Sequence, residues 1–387
     1  MMRGLTVAFV LIAGSAQAGT PLRPLQLEAT RTAAAATTAR NAQIALHDAT
    51  LARFVETAPA VEALRQAQDM PANEKTLATA MDQLARVKAA YDAASNRERA
   101  GMIASVQAEA AARAARQALT DAVNTWSAEG EALEHAAQRA GSGEVARTAR
   151  ENTACLDQDC SPVSAREHSA LVLMGAVGPV FDAKDWPDEA AREMTLLAPS
   201  AAATPRLRGL RDAREAATKA SQQATTAAST ARANFEAPLP NWQARLYGLL
   251  ESYFHPPKET SVPDAARAFL DFDANVRANA EANRSATQAA DAAKAAVTTT
   301  EARLNEAVDA FADMGRATRR AALLAGRGNL LRADGTAICL AERCAATSGV
   351  EAAAFVVIGA AAPGAELKFA NLIEQTPDRG WVFKPPR

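Results

Sequence analysis

Apolar residues in two long stretches of the chain recur at alternating intervals of four and three. This rhythm keeps them on one face of a helix and is typical of a coiled-coil seam. Leu77, Met81, Leu84 and Tyr91 lie on the seam near the start of the first stretch. Gly and Ala at seam positions allow two helix axes to approach closely. The unbroken part of the seam is Leu119, Val123, Trp126, Gly130, Leu133, Ala137 and Ala140 in the first stretch, and Leu304, Val308, Phe311, Gly315, Thr318, Ala322 and Ala325 in the second.

Prolines and glycines divide both halves of the chain into helices joined by tips. Isolated helices are only marginally stable in water, so we expect each long pair to fold back as an antiparallel hairpin. The helices predicted in the first half cover 24–55, a short segment that ends before Pro71, and 72–140; those in the second half cover 205–235 and 263–325, joined by a larger tip at 238–257.

The two halves are related by an internal duplication. Leu119–Gly143 matches Leu304–Gly328 at ten of 25 positions. Cys155–Pro179 matches Cys339–Pro363 at ten of 25 positions, again without a gap. Self-similarity at a fixed distance indicates a repeated structural unit.

A short segment of different character follows each long helix. Leu171–Met174 and Phe355–Ile358 are apolar and bounded by glycine and proline, which predicts buried strands. Two strand-like runs flank a turn signal at 377–380, and 329–340 has the pattern of another hairpin. We expect these strands to pair into a small mixed sheet.

A serine and a glutamate just after each cysteine pair are shared by the two halves. Ser164 and Glu167 correspond to Ser348 and Glu351. The three-residue spacing is that of a capping box, which predicts that each pair starts a local helix or turn.

Together these patterns predict a mainly α protein built from two tandem repeats. Each repeat is a long antiparallel coiled-coil helical hairpin, followed by a small disulfide-bearing cap with short β-strands. The predicted divisions are a signal peptide at 1–18, repeat 1 at 19–204 (hairpin 24–140, Cys-x4-Cys cap 144–204), and repeat 2 at 205–387 (hairpin 205–325, Cys-x4-Cys cap and C-terminal hairpin 329–387).

The N-terminus has the pattern of a secretory signal peptide. Arg3 precedes an apolar stretch at 5–13, and Ala16-Gln17-Ala18 forms a small-x-small cleavage site. The predicted cut follows Ala18, so we expect a periplasmic or extracellular protein. A buried N-terminal helix is the alternative interpretation.

Composition narrows the classes of function. Alanine is the commonest residue and aromatic side chains make up only 5%, which favours long helices over a wide core of bulky side chains. The net charge of -2 argues against nucleic acid as a partner. No run of 18 apolar residues follows the signal peptide, so no membrane-spanning helix is expected.

The cysteines of the chain occupy equivalent positions in the two repeats. In an oxidising compartment the spacing favours two local disulfides, Cys155–Cys160 and Cys339–Cys344. A four-cysteine zinc site shared by the repeats is the alternative. The spacing differs from the Cys-x-x-Cys of redox-active dithiols, and no metal or cofactor is predicted.

No arrangement of residues in the sequence predicts catalysis. Nucleophile-elbow, zinc-protease and phosphate-loop motifs are absent from the chain, so the protein is predicted not to be an enzyme. The histidines are scattered and are expected to be solvated or incidental. They are His47, His135, His168 and His255.

The tip of the second hairpin is the candidate surface for a protein partner. Its apolar and aromatic residues gather on one side at helical spacing, between two groups of prolines. A tip helix that folds back and caps the bundle is the alternative. The candidate residues are Trp242, Leu246, Leu249, Leu250, Tyr253 and Phe254.

The function predicted from these observations is that of a non-enzymatic coiled-coil scaffold or adaptor. It would contact a protein partner, or associate with itself, through its helical arms. The first alternative is a membrane-active protein, pore-forming or export-associated, in which Leu171–Ala176 and Phe355–Ala360 insert into lipid. Both runs are shorter than a bilayer span, so membrane contact is not favoured. The second alternative is an enzyme with a site between the two caps.

Overall fold

The computed structural model describes most of the chain between Thr20 and Lys384. The predicted signal peptide at 1–18 lies outside the described residues. The described residues are 20–69, 74–142, 145–148, 153–156, 159–176, 207–255, 261–327, 330–334, 337–340, 343–361, 369–376 and 380–384.

The described chain is mainly helical, as predicted. The four long helices begin and end within two residues of their predicted bounds. The helices are α1 (Leu22–Val55), α2 (Thr57–Asp69), α3 (Glu74–Gly141), α4 (Ala165–Leu173), α5 (Leu207–Glu236), α6 (Leu239–Phe254), α7 (Val262–Ala325) and α8 (Gly349–Val357).

The strands of the described chain are short and pair only with antiparallel neighbours. The hairpins predicted at 329–340 and around 377–380 are present, but the mixed sheet is not, because sequential strands pair in three separate sheets. The sheets are β1 (Val145–Thr148), β2 (Thr153–Leu156) and β3 (Asp159–Pro162); β4 (Leu330–Asp334), β5 (Ala337–Leu340) and β6 (Arg343–Ala346); and β7 (Ile373–Thr376) with β8 (Gly380–Phe383).

Contacts divide the chain into two compact units. The described residues of the first unit lie in 20–131 and 314–384, and those of the second in 132–176 and 207–313. Each unit therefore combines a pair of long helices from one half of the sequence with the small elements that follow the long helix of the other half. The units do not coincide with the predicted sequence repeats, whose boundaries remain a prediction.

In the first unit, α1 and α3 lie side by side in opposite directions. The His47 Nδ1 atom is 2.7 Å from Glu98 Oε1, and the rings of Phe54 and Tyr91 are 5.9 Å apart. As residue numbers increase along α1, the numbers of the residues that they contact on α3 decrease, which shows that the two helices are antiparallel. We call α1 with residues 74–131 of α3 the first arm.

In the second unit, α5 and α7 are antiparallel in the same way. Arg214 pairs with Glu301 at 3.5 Å, and the Asn279 side chain donates to the Asn234 carbonyl at 3.3 Å. We call α5, α6 and residues 262–313 of α7 the second arm.

Low exposure in the long helices follows the four-three rhythm. In α3 the rhythm runs without a break over 80–140, and it recurs 185 residues later in α7 over 265–325. Leu77 and Met81, which were expected in the seam, are instead 39% and 51% exposed. The buried position of that turn is Ala80, so this part of the prediction was wrong. At this turn the small side chain of Ala80 is therefore buried, and the larger side chains of Leu77 and Met81 face solvent.

The two apolar runs expected as strands are helical. Leu171–Leu173 ends α4 and Phe355–Val357 ends α8, and Met174 and Ile358 are the C-cap residues. The Ser164 and Ser348 side chains each accept from the backbone N–H three residues later at 3.1 Å, which confirms the predicted cap. Capping starts a helix in each segment, and a run of four apolar residues is too short to show the helical periodicity that would distinguish it from a strand.

In the first unit, α1 begins on the end of α8. The Leu22 amide donates to the Ile358 carbonyl at 3.1 Å, and the Arg23 amide donates to the Gly359 carbonyl at 2.9 Å. Helix ends otherwise leave such amides and carbonyls without partners, so the contact satisfies both ends together. Gly359 has a φ of +62°, which glycine adopts without strain.

In the second unit, the same arrangement joins α5 to the end of α4. The Leu207 amide donates to the Met174 carbonyl at 3.1 Å, and the Arg208 amide donates to the Gly175 carbonyl at 3.0 Å. Gly175 has a φ of +67°. The start of each arm is therefore held by the small helix of its own unit, although that helix comes from the other half of the sequence.

Candidate partner-binding surface

The tip of the second arm is the helix α6, which packs one of its sides against α7. The Trp242 indole N–H donates to Asp273 Oδ1 at 2.9 Å. The Trp242 ring also lies 5.9 Å from the ring of Phe269. Trp242, Leu246 and Leu249 are half-buried on this side. The spacing of these three residues therefore describes a packing face that holds α6 in place.

Charged side chains reinforce the same junction. Arg277 Nε donates to the second oxygen of Asp273 at 2.6 Å. The hydrogen bonds from Arg277 and then Trp242 hold the pKa of the Asp273 carboxyl below its ordinary value. The Arg245 guanidinium lies 4.4 Å from the centre of the Phe272 ring, within the range of a cation–π contact. Side chains on both helices therefore orient α6.

The rest of α6 presents large apolar and aromatic side chains to solvent. Tyr247 and Phe254 lie on the side away from α7, whereas Tyr253, four residues after Leu249, continues the packing side at the exposed end of the helix. Tyr247, Tyr253 and Phe254 are about 70% exposed, and Leu250 is 45% exposed. The rings of Tyr253 and Phe254 meet edge to face at 5.3 Å. We call these four residues the tip surface.

The predicted six-residue surface is thus divided between two roles. Leu250, Tyr253 and Phe254 are exposed, whereas the other three residues hold the helix against α7. Tyr247 belongs to the exposed side and was missed by the sequence analysis. Its spacing of three and seven residues from Leu250 and Phe254 was the available signal.

A groove of about 430 Å³ lies where α5 meets α6. Three asparagines line it, and the Asn279 amide donates to Asn275 Oδ1 at 3.4 Å and to the Asn234 carbonyl. Phe272 forms part of its apolar wall. Asparagine amides offer both donors and acceptors, so the groove has the chemistry to bind a peptide backbone.

The cysteines lie opposite each other in the strand register. Cys155 pairs with Cys160 between β2 and β3, and Cys339 pairs with Cys344 between β5 and β6. Directly opposed residues in antiparallel strands have Cα atoms roughly 4.5–5.5 Å apart, within the range for a disulfide. The cysteine side chains lie outside what the structure describes, so both disulfides remain a prediction.

His168 is buried in α4, so of the two expected states, solvated or incidental, the first is wrong for this residue. It is 2% exposed, and burial lowers the pKa of its imidazole. The residue before it, Glu167, accepts from Arg139 Nε at 2.9 Å. At the corresponding position of the other half, Ala352 is buried, so an alanine side chain is compatible with this packing.

We expect His168 to destabilise the protein in mild acid. Because the pKa of His168 is lowered on folding, the unfolded chain binds its proton more readily than the folded chain. The stability contributed by the buried, neutral imidazole is therefore fully present above the pKa of histidine in the unfolded chain, about 6.5, and is lost as pH falls below that value. The expected result is a free energy of unfolding that decreases between pH 7.5 and pH 5, with a smaller decrease in His168→Ala.

Urea denaturation at a series of pH values measures this dependence. The exposed His255→Ala is the matched control and is expected to retain the full dependence. Equal pH dependence in wild type and His168→Ala would show that His168 is not responsible.

No group of His, Cys, Asp or Glu side chains that could hold a metal ion occurs within the described ranges. Among the same residues, no helix combines the length and apolar character needed to cross a bilayer. Comparison with protein-family models, curated proteins and solved structures finds no match to this chain.

Proposed function

We propose that the protein is a periplasmic or secreted, non-enzymatic coiled-coil scaffold that binds a protein partner through the tip surface. In this proposal the chain consists of two tandem repeats, each with a coiled-coil hairpin and a disulfide-bearing cap. Supporting observations are the burial rhythm shared by α3 and α7 and the opposed cysteines of the two cap hairpins.

The observation that carries the proposal is that α6 is anchored by some of its large side chains and exposes others. Burying a large apolar or aromatic side chain is worth about 1.5–3 kcal/mol. Tyr247, Tyr253 and Phe254 leave most of that stabilisation unused, and Leu250 leaves a smaller part of it unused. Aromatic residues are enriched among those that dominate protein interfaces. Because Trp242 and Asp273 hold the helix, the tip surface is presented in a defined orientation without a large ordering cost on binding.

The groove lined by asparagines supports a protein partner in particular. It lies at the base of α6, at the same end of the arm as the tip surface. A partner segment could place apolar side chains on the tip surface and its backbone near the amides of Asn275 and Asn279. Such a combination of apolar anchors and a few placed polar groups is the ordinary composition of a recognition site.

The described residues give no support to the membrane-active alternative. Its proposed insertion elements are buried: Leu171, Phe355 and Ile358 are each 0% exposed. The enzyme alternative also gains no support, because the side chains of the cap strands lie outside the described residues.

Site-specific photo-crosslinking tests the proposal. A photoreactive amino acid at position 253 is expected to form a discrete protein adduct in cells that express the chain. The matched control is the same amino acid at position 27, because Leu27 is 62% exposed but lies on the first arm. Phe254→Ser is expected to lower the adduct yield from position 253 by about tenfold, since loss of one interface anchor costs at least roughly 1.4 kcal/mol.

Two outcomes would contradict the proposal. One is an identical set of adducts from positions 253 and 27, which would show non-specific collisions. The other is an adduct from position 253 whose yield is insensitive to Phe254→Ser.

A further inference from the structure

The first arm carries exposed apolar side chains along one of its faces. Six of them, between 48% and 59% exposed, are placed along both helices of the arm. We call them the first-arm face. They are Ile44, Leu51 and Phe54 on α1, and Met81, Met102 and Val106 on α3.

These six residues share a position relative to the seam. Each follows a buried or half-buried seam residue by one or four positions, as Ile44 follows Gln43 and Met102 follows Gly101. A turn of 100° per residue places such positions on the same flank of their helix. Because α1 and α3 are antiparallel, the same flank of both helices faces the same side of the arm.

The opposite flank of the first arm carries no exposed large apolar side chain. The exposed residues that precede the seam by one position include Ala42, Ala49, Ala100 and Ala104, and the others are small, polar or charged, such as Arg86. Of these two flanks, only the first therefore carries exposed large apolar side chains. Phe54 also meets Tyr91 of α3 at a ring distance of 5.9 Å, so the face borders the contact between α1 and α3.

The second arm is more polar at the equivalent positions. At the positions 185 residues later, exposed polar residues replace four of the six, whereas Leu239 and Ala266 correspond to Phe54 and Met81. The four polar replacements are Ser229 for Ile44, Glu236 for Leu51, Thr287 for Met102 and Asp291 for Val106. An arm of the same design is therefore built with polar residues at these four sites. The packing of the arm itself gives no reason for the apolar ones.

We propose that the first-arm face is covered by the first arm of a second copy of the chain, which gives a homodimer. Apolar residues seven positions apart, such as Ile44 and Leu51, are matched by a helical partner with the same period. The first arm of a second copy has that period, that length and an apolar face of its own. A closed dimer of this kind buries the same patch on both chains.

The area is appropriate for self-association. Six half-exposed large side chains together present on the order of 500 Å² of apolar surface, which Lys88, Asp92 and Arg99 interrupt along α3. With the flanking side chains, the contact approaches the about 800 Å² per partner of a standard interface.

The charges on this side are largely neutralised within α3. Lys88 pairs with Asp92 at 2.6 Å, and Arg113 lies 3.9 Å from Glu109. Arg40 and Arg99 add positive charge at the edge of the face. Screening of this remaining like charge is expected to strengthen a homodimer as salt is added, whereas salt would weaken contact with an acidic protein or an anionic membrane.

Sedimentation velocity of the purified chain over a range of concentrations tests the proposal. Wild type is expected to sediment as a dimer that dissociates on dilution and is stabilised by 0.5 M NaCl compared with 0.05 M. Met102→Glu and Ile44→Glu are each expected to weaken association at least tenfold, since each buries a charge on both sides of the interface. The matched control is Ile103→Glu, because Ile103 is 53% exposed on the back of α3, one residue from Met102.

Helicity and melting temperature of the dissociated chain, measured for every variant, separate loss of association from loss of folding. The proposal is overturned if wild type stays monomeric up to about 100 μM, the range of a very weak complex. It is also overturned if Ile103→Glu disrupts the dimer as much as Met102→Glu. Monomeric protein that binds phosphatidylglycerol vesicles, and loses binding in Met102→Glu, would assign the face to a membrane instead. Substitutions in the tip surface are expected to leave the dimer intact.

Discussion

Gly130→Val is expected to lower the free energy of unfolding by about 3 kcal/mol, the upper range for overpacking a close contact. In the first unit, α3 and the end of α7 touch backbone to backbone at this residue. A methyl group on Gly130 would lie 2.6 Å from the Gly315 carbonyl oxygen and 2.7 Å from the Arg319 amide nitrogen. Backbone atoms cannot rotate away as a side chain can, so the helices must separate.

Separation of the helices would loosen the packing on either side of the contact. Trp126 and Leu133, one turn before and after, are 4% and 1% exposed. Valine has a better helix propensity than glycine, but that gain is below about 1 kcal/mol and does not offset the loss. Urea denaturation followed by circular dichroism measures the change.

Gly248→Val is the matched control for this prediction. Gly248 is also inside a helix, and a methyl group added to it has no neighbour within 4 Å. We expect it to leave stability unchanged or slightly raised. Equal destabilisation by both substitutions would show that glycine is needed at Gly130 for a reason other than close approach.

Gly359→Ala is expected to cost about 3 kcal/mol, from two sources of similar size. The residue has a φ of +62°, where an L side chain costs roughly 1–2 kcal/mol. A methyl group there would also lie 2.7 Å from the Pro21 Cβ atom. The start of α1 would then move away from the end of α8 and lose the hydrogen bonds from the Leu22 and Arg23 amides.

Gly380→Ala separates the two sources of this cost. Gly380 has a φ of +72°, but its methyl group would have no neighbour within 4 Å. We expect a loss of only about 1 kcal/mol, from backbone strain alone. Native-state hydrogen exchange provides a second measurement, because Gly359→Ala should speed exchange of the Leu22 and Arg23 amides and Gly380→Ala should not. Unchanged exchange at these amides would rule out displacement of α1.

The long helices are the part of the fold that the sequence describes most completely. Helix propensity, the four-three spacing and the proline and glycine breaks are local properties, and together they located the ends of α1, α3, α5 and α7 within two residues. The Ser164 and Ser348 caps were predicted for the same reason, since a cap depends on residues only three positions apart.

The short apolar runs show where local reasoning failed. Leu171–Met174 and Phe355–Ile358 are as compatible with a buried helix as with a strand, because a run of four apolar residues is too short to show the periodicity that distinguishes the two. Their helical state depends on the whole of α4 and α8, including the caps six to eight residues earlier. The prediction that Leu77 and Met81 lie in the seam was wrong for a related reason. The spacing of large apolar residues favours these two as seam residues, although the small residue Ala80 is the one that is buried.

The candidate surfaces required knowledge of which side of each helix is covered. The grouping of apolar residues near Trp242 was visible in the sequence, but their division into anchors and the exposed tip surface depends on contacts with Asp273 and Phe269. The first-arm face was not predicted at all. Its residues follow seam residues by one or four positions, and only the exposure of each side chain in the folded chain distinguishes the two rows.

By itself, the sequence determined that the chain forms long alanine-rich helices in two related halves, because propensity, periodicity and duplication are properties of neighbouring residues. Only the tertiary structure decided which half completes which compact unit. The Leu22 amide donates to the Ile358 carbonyl, hundreds of residues away, and the Leu207 amide donates to the Met174 carbonyl, tens of residues away. Both halves carry nearly the same donors, acceptors and glycines, so no local signal distinguishes one pairing from the other. That choice depends on the folded path of the whole chain.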